Sequence, residues 1–317
     1  MSRAWHGLDR AFLADGAEAT SLRALGRNER TLDPSGVRAA WGEHDDDEAC
    51  ILMGVRRPAR VRLVHDPLAS EAWIERFEHE VARLARSVAC PVLALGGGLD
   101  AASVLAAWHA SGIAMPTIVT LRTDLPSYDE HDIACATCRV LGARCEVVRV
   151  RGNALVERAP DACVAAETPF YDLHPVHRLL LADACGAGTT LITGDGADAA
   201  FAHRADLDYV PHVVSLARAV GVEVASPFFD EALTRGAPAD REKSLLRRYV
   251  RARGLDSLAD APKRPRIVPA LDARAIFDPV RVASLAARTG LRVDVSRPGA
   301  HVKWATLDHL VRALEAA

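Results

Sequence analysis

Across residues 70–87 the apolar side chains Trp73, Phe77, Val81, Leu84 and Ala85 recur between polar ones, the spacing of an amphipathic helix. A short apolar run at 91–95 follows, breaks into Gly96-Gly97-Gly98-Leu99-Asp100, and gives way to a helical stretch at 101–111. Strand, glycine turn and helix in succession make a parallel βα unit. The alternation repeats, with strands predicted at 117–121, 144–150 and 190–193 and helices at 129–141 and 174–185. A second glycine loop, Gly194-Asp195-Gly196, then opens a stretch that reads as mainly helical through Leu314. This order predicts an α/β fold: a doubly wound parallel sheet with helices on both faces and a largely helical C-terminal part.

The first 66 residues are less regular and read as a small appendage to a main domain at 67–317. They suggest a short helix near 5–13, an acidic run at 43–48, and two β-like stretches, 49–55 and 59–64, joined by Arg56-Arg57-Pro58 as a hairpin. The chain's 317 residues are half apolar but only 5% aromatic, so its core must be built from small aliphatic side chains.

Charge narrows the classes of partner. A net charge of −3 gives no overall positive field for a polyanion. One basic stretch, 241–266, carries nine Lys or Arg against three acids and reads as a solvated helix surface, so nucleic acid is not the expected partner. Seven cysteines, an odd number lying mostly in apolar stretches behind no secretory signal, point to a reduced, cytoplasmic protein. No apolar run approaches the roughly 18 residues a membrane span needs, and no membrane association is expected.

Chemistry concentrates in the glycine loops. Glycines after a strand let successive N–H groups turn towards one point, and the next helix adds positive potential there, which suits phosphate. Asp100 beside that point would repel phosphate unless a cation such as Mg²⁺ lay between them.

The run Leu95-Gly96-Gly97-Gly98-Leu99-Asp100-Ala101-Ala102 resembles the pyrophosphate loop of the ATP-pyrophosphatase (PP-loop) class, whose usual form is Ser-Gly-Gly-Leu-Asp-Ser-Ser. Further stretches resemble its asparagine synthetase and β-lactam synthetase branch: Tyr128-Asp129-Glu130 with Leu141-Gly142, Leu191 through Asp198, Val222 through Asp230, Glu242 through Arg247, and Pro262-Lys263-Arg264. The resemblance covers roughly residues 70–270. It implies an AMP-forming C–N ligase in which ATP lies on Leu95, Gly96, Gly97, Gly98, Asp100, Ala101 and Gly194. Asp100 and Asp198 would hold Mg²⁺ against the phosphates, Lys243 and Lys263 would face the phosphates, and Asp195 would face the substrate. Glu223 matches an acid that can orient or deprotonate the nucleophile.

This sequence departs from the family's pattern at three places. Gly96 and Ala101 stand where the family's loop carries hydroxyls. Ala225 replaces an arginine of the segment Val-Glu-x-Arg-x-Pro-Phe-Leu-Asp, which argues for a carboxylate other than aspartate. Ser2 stands where glutamine-dependent members carry a catalytic cysteine, and the N-terminal segment is too short for their amidohydrolase domain. Ammonia from a partner protein, an amine substrate or an intramolecular amine is therefore the expected nitrogen source, the last two suiting specialised-metabolite or antibiotic biosynthesis. Two rival readings remain: a sulfur-transfer enzyme on tRNA, for which Cys135, Cys138 and Cys145 would hold a metal or cluster, and a non-catalytic adenylate-binding scaffold. Those cysteines, like His174 and His177, are read first as packing residues and a helix start.

Overall fold

The computed structural model describes residues 12–14, 17–19, 22, 32–41, 50–51, 64–126, 128–203, 210–262, 275–297 and 299–316. Near the N-terminus, β1 (Phe12–Ala14) and β2 (Ala17–Ala19) form an antiparallel pair, followed by α1 (Pro34–Trp41). The helix expected near 5–13 is therefore corrected at its end, where Phe12 and Leu13 are extended and paired; the rest of it lies outside the described residues. Of the hairpin expected at 49–64, Ala49 and residues 52–63 lie outside them too.

The long periodic segment forms α2 (Ser70–Ser87), whose Trp73, Phe77, Val81 and Leu84 are all buried. It leads into β3 (Pro91–Ala94), α3 (Leu99–Ala110), β4 (Thr117–Thr123), α4 (His131–Val140) and β5 (Cys145–Val150). Two helices that the hydrophobic pattern did not announce, α5 (Gly152–Glu157) and α6 (Ala159–Ala166), come before α7 (His174–Cys185) and β6 (Thr190–Ile192). Then follow α8 (Ala197–Phe201), α9 (Val210–Arg218) and β7 (Glu223–Ala225). The region read as mainly helical thus holds a further strand, three residues long and too short to show a period. The chain ends in α10 (Glu231–Arg235), α11 (Ser244–Arg251), α12 (Asp256–Asp260), α13 (Pro279–Thr289) and α14 (Ala300–Glu315).

Five strands make one parallel sheet in the order β5-β4-β3-β6-β7. Alternation along the strands sends side chains to opposite faces. Leu93, Ile118 and Ile192 join Trp73, Leu105, Cys138 and Leu246 on one face, so α2, α3, α4 and α11 cover it. Val92, Ala94, Val119, Leu121 and Leu191 join Leu181 and Ala217 on the other, which α7 and α9 cover. Both faces are buried, as a parallel sheet requires. A separate cluster packs Leu22, Val37, Cys50 and Ile51 against Val282, Leu285 and Leu310, so the N-terminal segment rests on α13 and α14. Among the described residues no helix is long and apolar enough to cross a membrane.

The strand order reverses at β3: the chain leaves it for β4 and β5 on one side, then returns to β6 on the other. In open α/β sheets the crevice at such a reversal, beyond the strands' C-terminal ends, is where ligands bind. Both glycine loops open there, one after β3 and one after β6.

Candidate functional site

Asp100 lies in the first turn of α3 and Asp198 in the first turn of α8, so the two loops deliver their acids to the same crevice. The Lys243 ammonium joins them, with Nζ 2.7 Å from both Asp100 oxygens and 2.6 Å from Asp198 Oδ1. Lys243 is itself buried and holds a left-handed backbone, φ 54° and ψ 43°, immediately before α11. A non-glycine residue in that region is strained, and such strain persists only where surrounding contacts impose it. Here Asp240 imposes it, its carbonyl accepting from Lys243 N–H and its carboxylate from Ser244 N–H.

The second loop is fixed by close packing. A Cβ on Gly194 would lie 2.5 Å from Ala101 N and 2.6 Å from Asp100 C, so glycine is what lets the two loops touch backbone to backbone. Gly196 has φ +99°, and a Cβ there would meet Phe228 Cβ at 2.9 Å. The Ser226-Pro227-Phe228 segment is the buttress: Ser226 Oγ donates to the Asp195 carbonyl at 2.7 Å and accepts from Phe228 N–H. Behind it Phe228 stacks on Phe77, and Trp73 meets Phe201 edge-on, so several of the chain's few aromatics support this loop.

Asp195 is 6% exposed and pairs with Arg178 of α7, Nη2 to Oδ1 2.7 Å. Arg178 Nε in turn donates to His174 Nε2 at 3.3 Å. The other Asp195 oxygen, Oδ2, is buried and has no hydrogen-bond partner among the described residues. A buried charged oxygen left this way is costly unless something else comes to it. Arg178 escaped the motif comparison; its only sequence signal is a guanidinium inside a mostly apolar helix.

In the first loop Leu95 is core, Gly98 has open space where a Cβ would stand, and Ala101 packs against the apolar cluster beneath. Gly97 N–H donates to Glu130 Oε2 at 3.0 Å. Glu223 does not join the group. It pairs in register with Thr190 at the start of β6, at the opposite end of the strands from the loops, and its exposed side chain faces Arg218. Lys263 lies outside the described residues.

The remaining polar signals are absorbed by the fold. In the basic stretch, Arg247 donates to the carbonyls of Ala259 and Ala261, Arg251 pairs with Asp260, and Arg253 pairs with Glu78 and stacks on Tyr249. Cys138 is buried in the core, where the hydrogen-bonded Cys145 thiol holds it below the ordinary thiol range, and burial raises Cys135. Among the described residues no three His, Cys, Asp or Glu are grouped so as to hold a metal.

Residues 72–206 match the asparagine synthase family model. A search of curated proteins found no match. Among solved structures, the chain is similar to NMN synthetase from Francisella tularensis at 12% identity and TM-score 0.39, over 79% of this chain and 97% of that one. The NH3-dependent NAD synthetase from Campylobacter jejuni gives 11% identity and TM-score 0.38 over the same shares. A predicted subunit of tRNA methyltransferase from Methanocaldococcus jannaschii gives 21% identity and TM-score 0.30, over 57% of this chain and 97% of that one. Joined to two glycine–acid loops at the reversal of a parallel sheet, the family match makes residues 72–206 an asparagine synthase domain of the PP-loop ATP pyrophosphatase class, and the chain an ATP-dependent ligase.

Proposed function

We propose that this ligase joins a small-molecule carboxylate to an amine or ammonia, using Mg²⁺-ATP and releasing AMP and pyrophosphate. One observation carries the reading: acids from two separate loops, Asp100 and Asp198, converge on a single cationic centre at the sheet's reversal. The donor set fits Mg²⁺, which commonly takes one or two carboxylates and completes its shell with phosphate oxygens and water. Mg²⁺ bound there would neutralise charge developing on the departing pyrophosphate. Lys243, freed from the acids, would turn its compact ammonium to the phosphates, and Lys263 is proposed as a second such lysine.

In the first step a substrate carboxylate oxygen attacks the α-phosphorus, the bond from that phosphorus to the bridging oxygen breaks, and pyrophosphate leaves. In the second the amine nitrogen attacks the acyl carbon, the bond to AMP breaks, and one proton leaves the nitrogen. Asp195 suits that proton better than Glu223, because its Oδ2 is buried and has no partner among the described residues while Arg178 fixes the other oxygen. Ala225, in the place of the family's arginine, fits a carboxylate other than aspartate and a role in specialised-metabolite biosynthesis, including antibiotics. The amine would arrive free or from a partner protein. Residues 67–317 are taken as the catalytic unit and 1–66 as its appendage, working in the cytoplasm, where seven cysteines stay reduced.

The test is a screen of carboxylates with ammonium or organic amines for substrate-dependent AMP and pyrophosphate. Lys243→Met should lower turnover by about 10²–10³, the cost of removing a preorganised charge from a transition state. ATP bound with no pyrophosphate released across a broad screen would end the synthetase reading in favour of an adenylate-binding scaffold.

A further inference from the structure

We propose that Glu130 is a specificity-determining residue of the first glycine loop: a resident carboxylate on a phosphate-binding N–H, which the incoming nucleotide must displace. The inference rests on the reading that this loop receives the phosphates of ATP. Two observations carry it. Gly97 N–H donates to Glu130 Oε2 at 3.0 Å, so the loop's amide already holds an oxyanion. A Cβ on Gly96 would lie 2.7 Å from that same Oε2, closer than real side chains approach. The backbone at Gly96 is not left-handed, so a side chain there meets Glu130 and no barrier of conformation.

The family's loop serine and this rotamer of Glu130 therefore exclude each other. Where a serine would offer phosphate a hydroxyl, this chain has a glycine that makes room for an acid. Glu130 is well placed for it: it stands just before α4, its carbonyl accepting from Ala134 N–H while its side chain reaches back across 33 residues to the loop. A phosphate oxygen on Gly97 N–H would have to sit where Oε2 sits. Two anions cannot share one donor at contact distance without strong repulsion, so Glu130 leaves when phosphate binds. Ligands able to compensate, those carrying a divalent cation, gain most from the exchange, and free phosphates gain least.

Binding of inorganic pyrophosphate and of ATP, each with and without Mg²⁺, is measured by calorimetry on the full chain. Glu130→Gln keeps the size and an acceptor oxygen but no charge, and should bind pyrophosphate and ATP roughly tenfold tighter, with the largest gain when Mg²⁺ is absent. A residue that only supports the loop could not give this result, because losing support weakens binding. Gly96→Ala should expel the carboxylate sterically and tighten pyrophosphate binding too, and adding Glu130→Gln to it should bring no further gain. Glu130→Gln binding both ligands no tighter than the native chain overturns the inference, whether or not the native enzyme releases pyrophosphate. A native chain silent in the pyrophosphate-release screen, with Glu130→Gln still binding tighter, sinks the synthetase reading and upholds this one.

Discussion

The two glycine loops look alike in sequence, each with an acid two residues after its last glycine, yet their glycines answer different demands. In the loop after β6, Gly194 and Gly196 are dictated by protein contacts: Gly194 lies against the backbone of Ala101 and Asp100, and Gly196 against Phe228. In the loop after β3, Gly98 faces open space, Gly96 makes way for the flexible end of Glu130, and a Cβ on Gly97 would meet side-chain atoms of Ile133 and Glu130 at 3.0 and 3.2 Å and no backbone. The second loop is a fixed wall. The first is an open cradle with a movable occupant, which suits the side proposed to meet phosphate.

The sharpest way to break this contrast is to add one methyl to each loop. Gly194→Ala should abolish turnover and cost more than the roughly 1–3 kcal/mol of ordinary overpacking, because its nearest neighbours are backbone atoms that cannot step aside. Gly98→Ala, at φ −89° with nothing near, should leave thermal stability almost unchanged. Equal losses in a denaturant titration would show that the loops are alike after all.

Arg178→Met probes the wall's electrostatics. It leaves Asp195 buried without its partner, which should cost about 3–5 kcal/mol, read as a lower urea midpoint. Adding Asp195→Asn should recover much of that loss, since a neutral amide tolerates burial better than a lone charge. No recovery in the double variant would mean that Arg178 acts through packing alone.

The smallest expected effect sharpens the cradle. Ala101→Ser restores a family hydroxyl in the first turn of α3, where serine is readily accepted. It should leave turnover unchanged or raise it by the equivalent of roughly 0.5–1.5 kcal/mol, one new hydrogen bond to phosphate. A pronounced fall in kcat, with ATP affinity intact, would contradict an open first loop.

Much of this arrangement was legible in the sequence because it follows from local pattern. The helix at Ser70–Ser87 and that at His174–Cys185 carry enough turns for the apolar period to fix them, and the strand–glycine–helix order fixes the crevice. Long-range pairings were not legible. Arg178 with Asp195 and Glu130 with Gly97 join residues on different elements, and nothing in the spacing of either partner names the other. Glu223 misled for the converse reason: its motif matches, but β7 carries it in register with the first residue of β6, and strand direction takes it away from the loops. What the Val222–Asp230 segment does supply is Ser226 and Phe228 beneath the second loop, a mechanical contribution hidden inside a motif read for its acid.

The Lys243 bridge has a consequence for how nucleotide affinity would respond to the medium. Because the Lys243 ammonium is already matched by Asp100 and Asp198, the site offers no excess positive charge to an incoming nucleotide, and on the proposed reading Mg²⁺ would take the ammonium's place between the acids while the ammonium turned to the phosphates. Ions drawn from bulk solution then have a small part in the exchange, and added salt, which screens exposed charges over about 8–10 Å, has little net attraction to weaken. A site built as an internal ion exchanger would hold its affinity nearly constant across ionic strengths that would loosen a merely basic phosphate pocket.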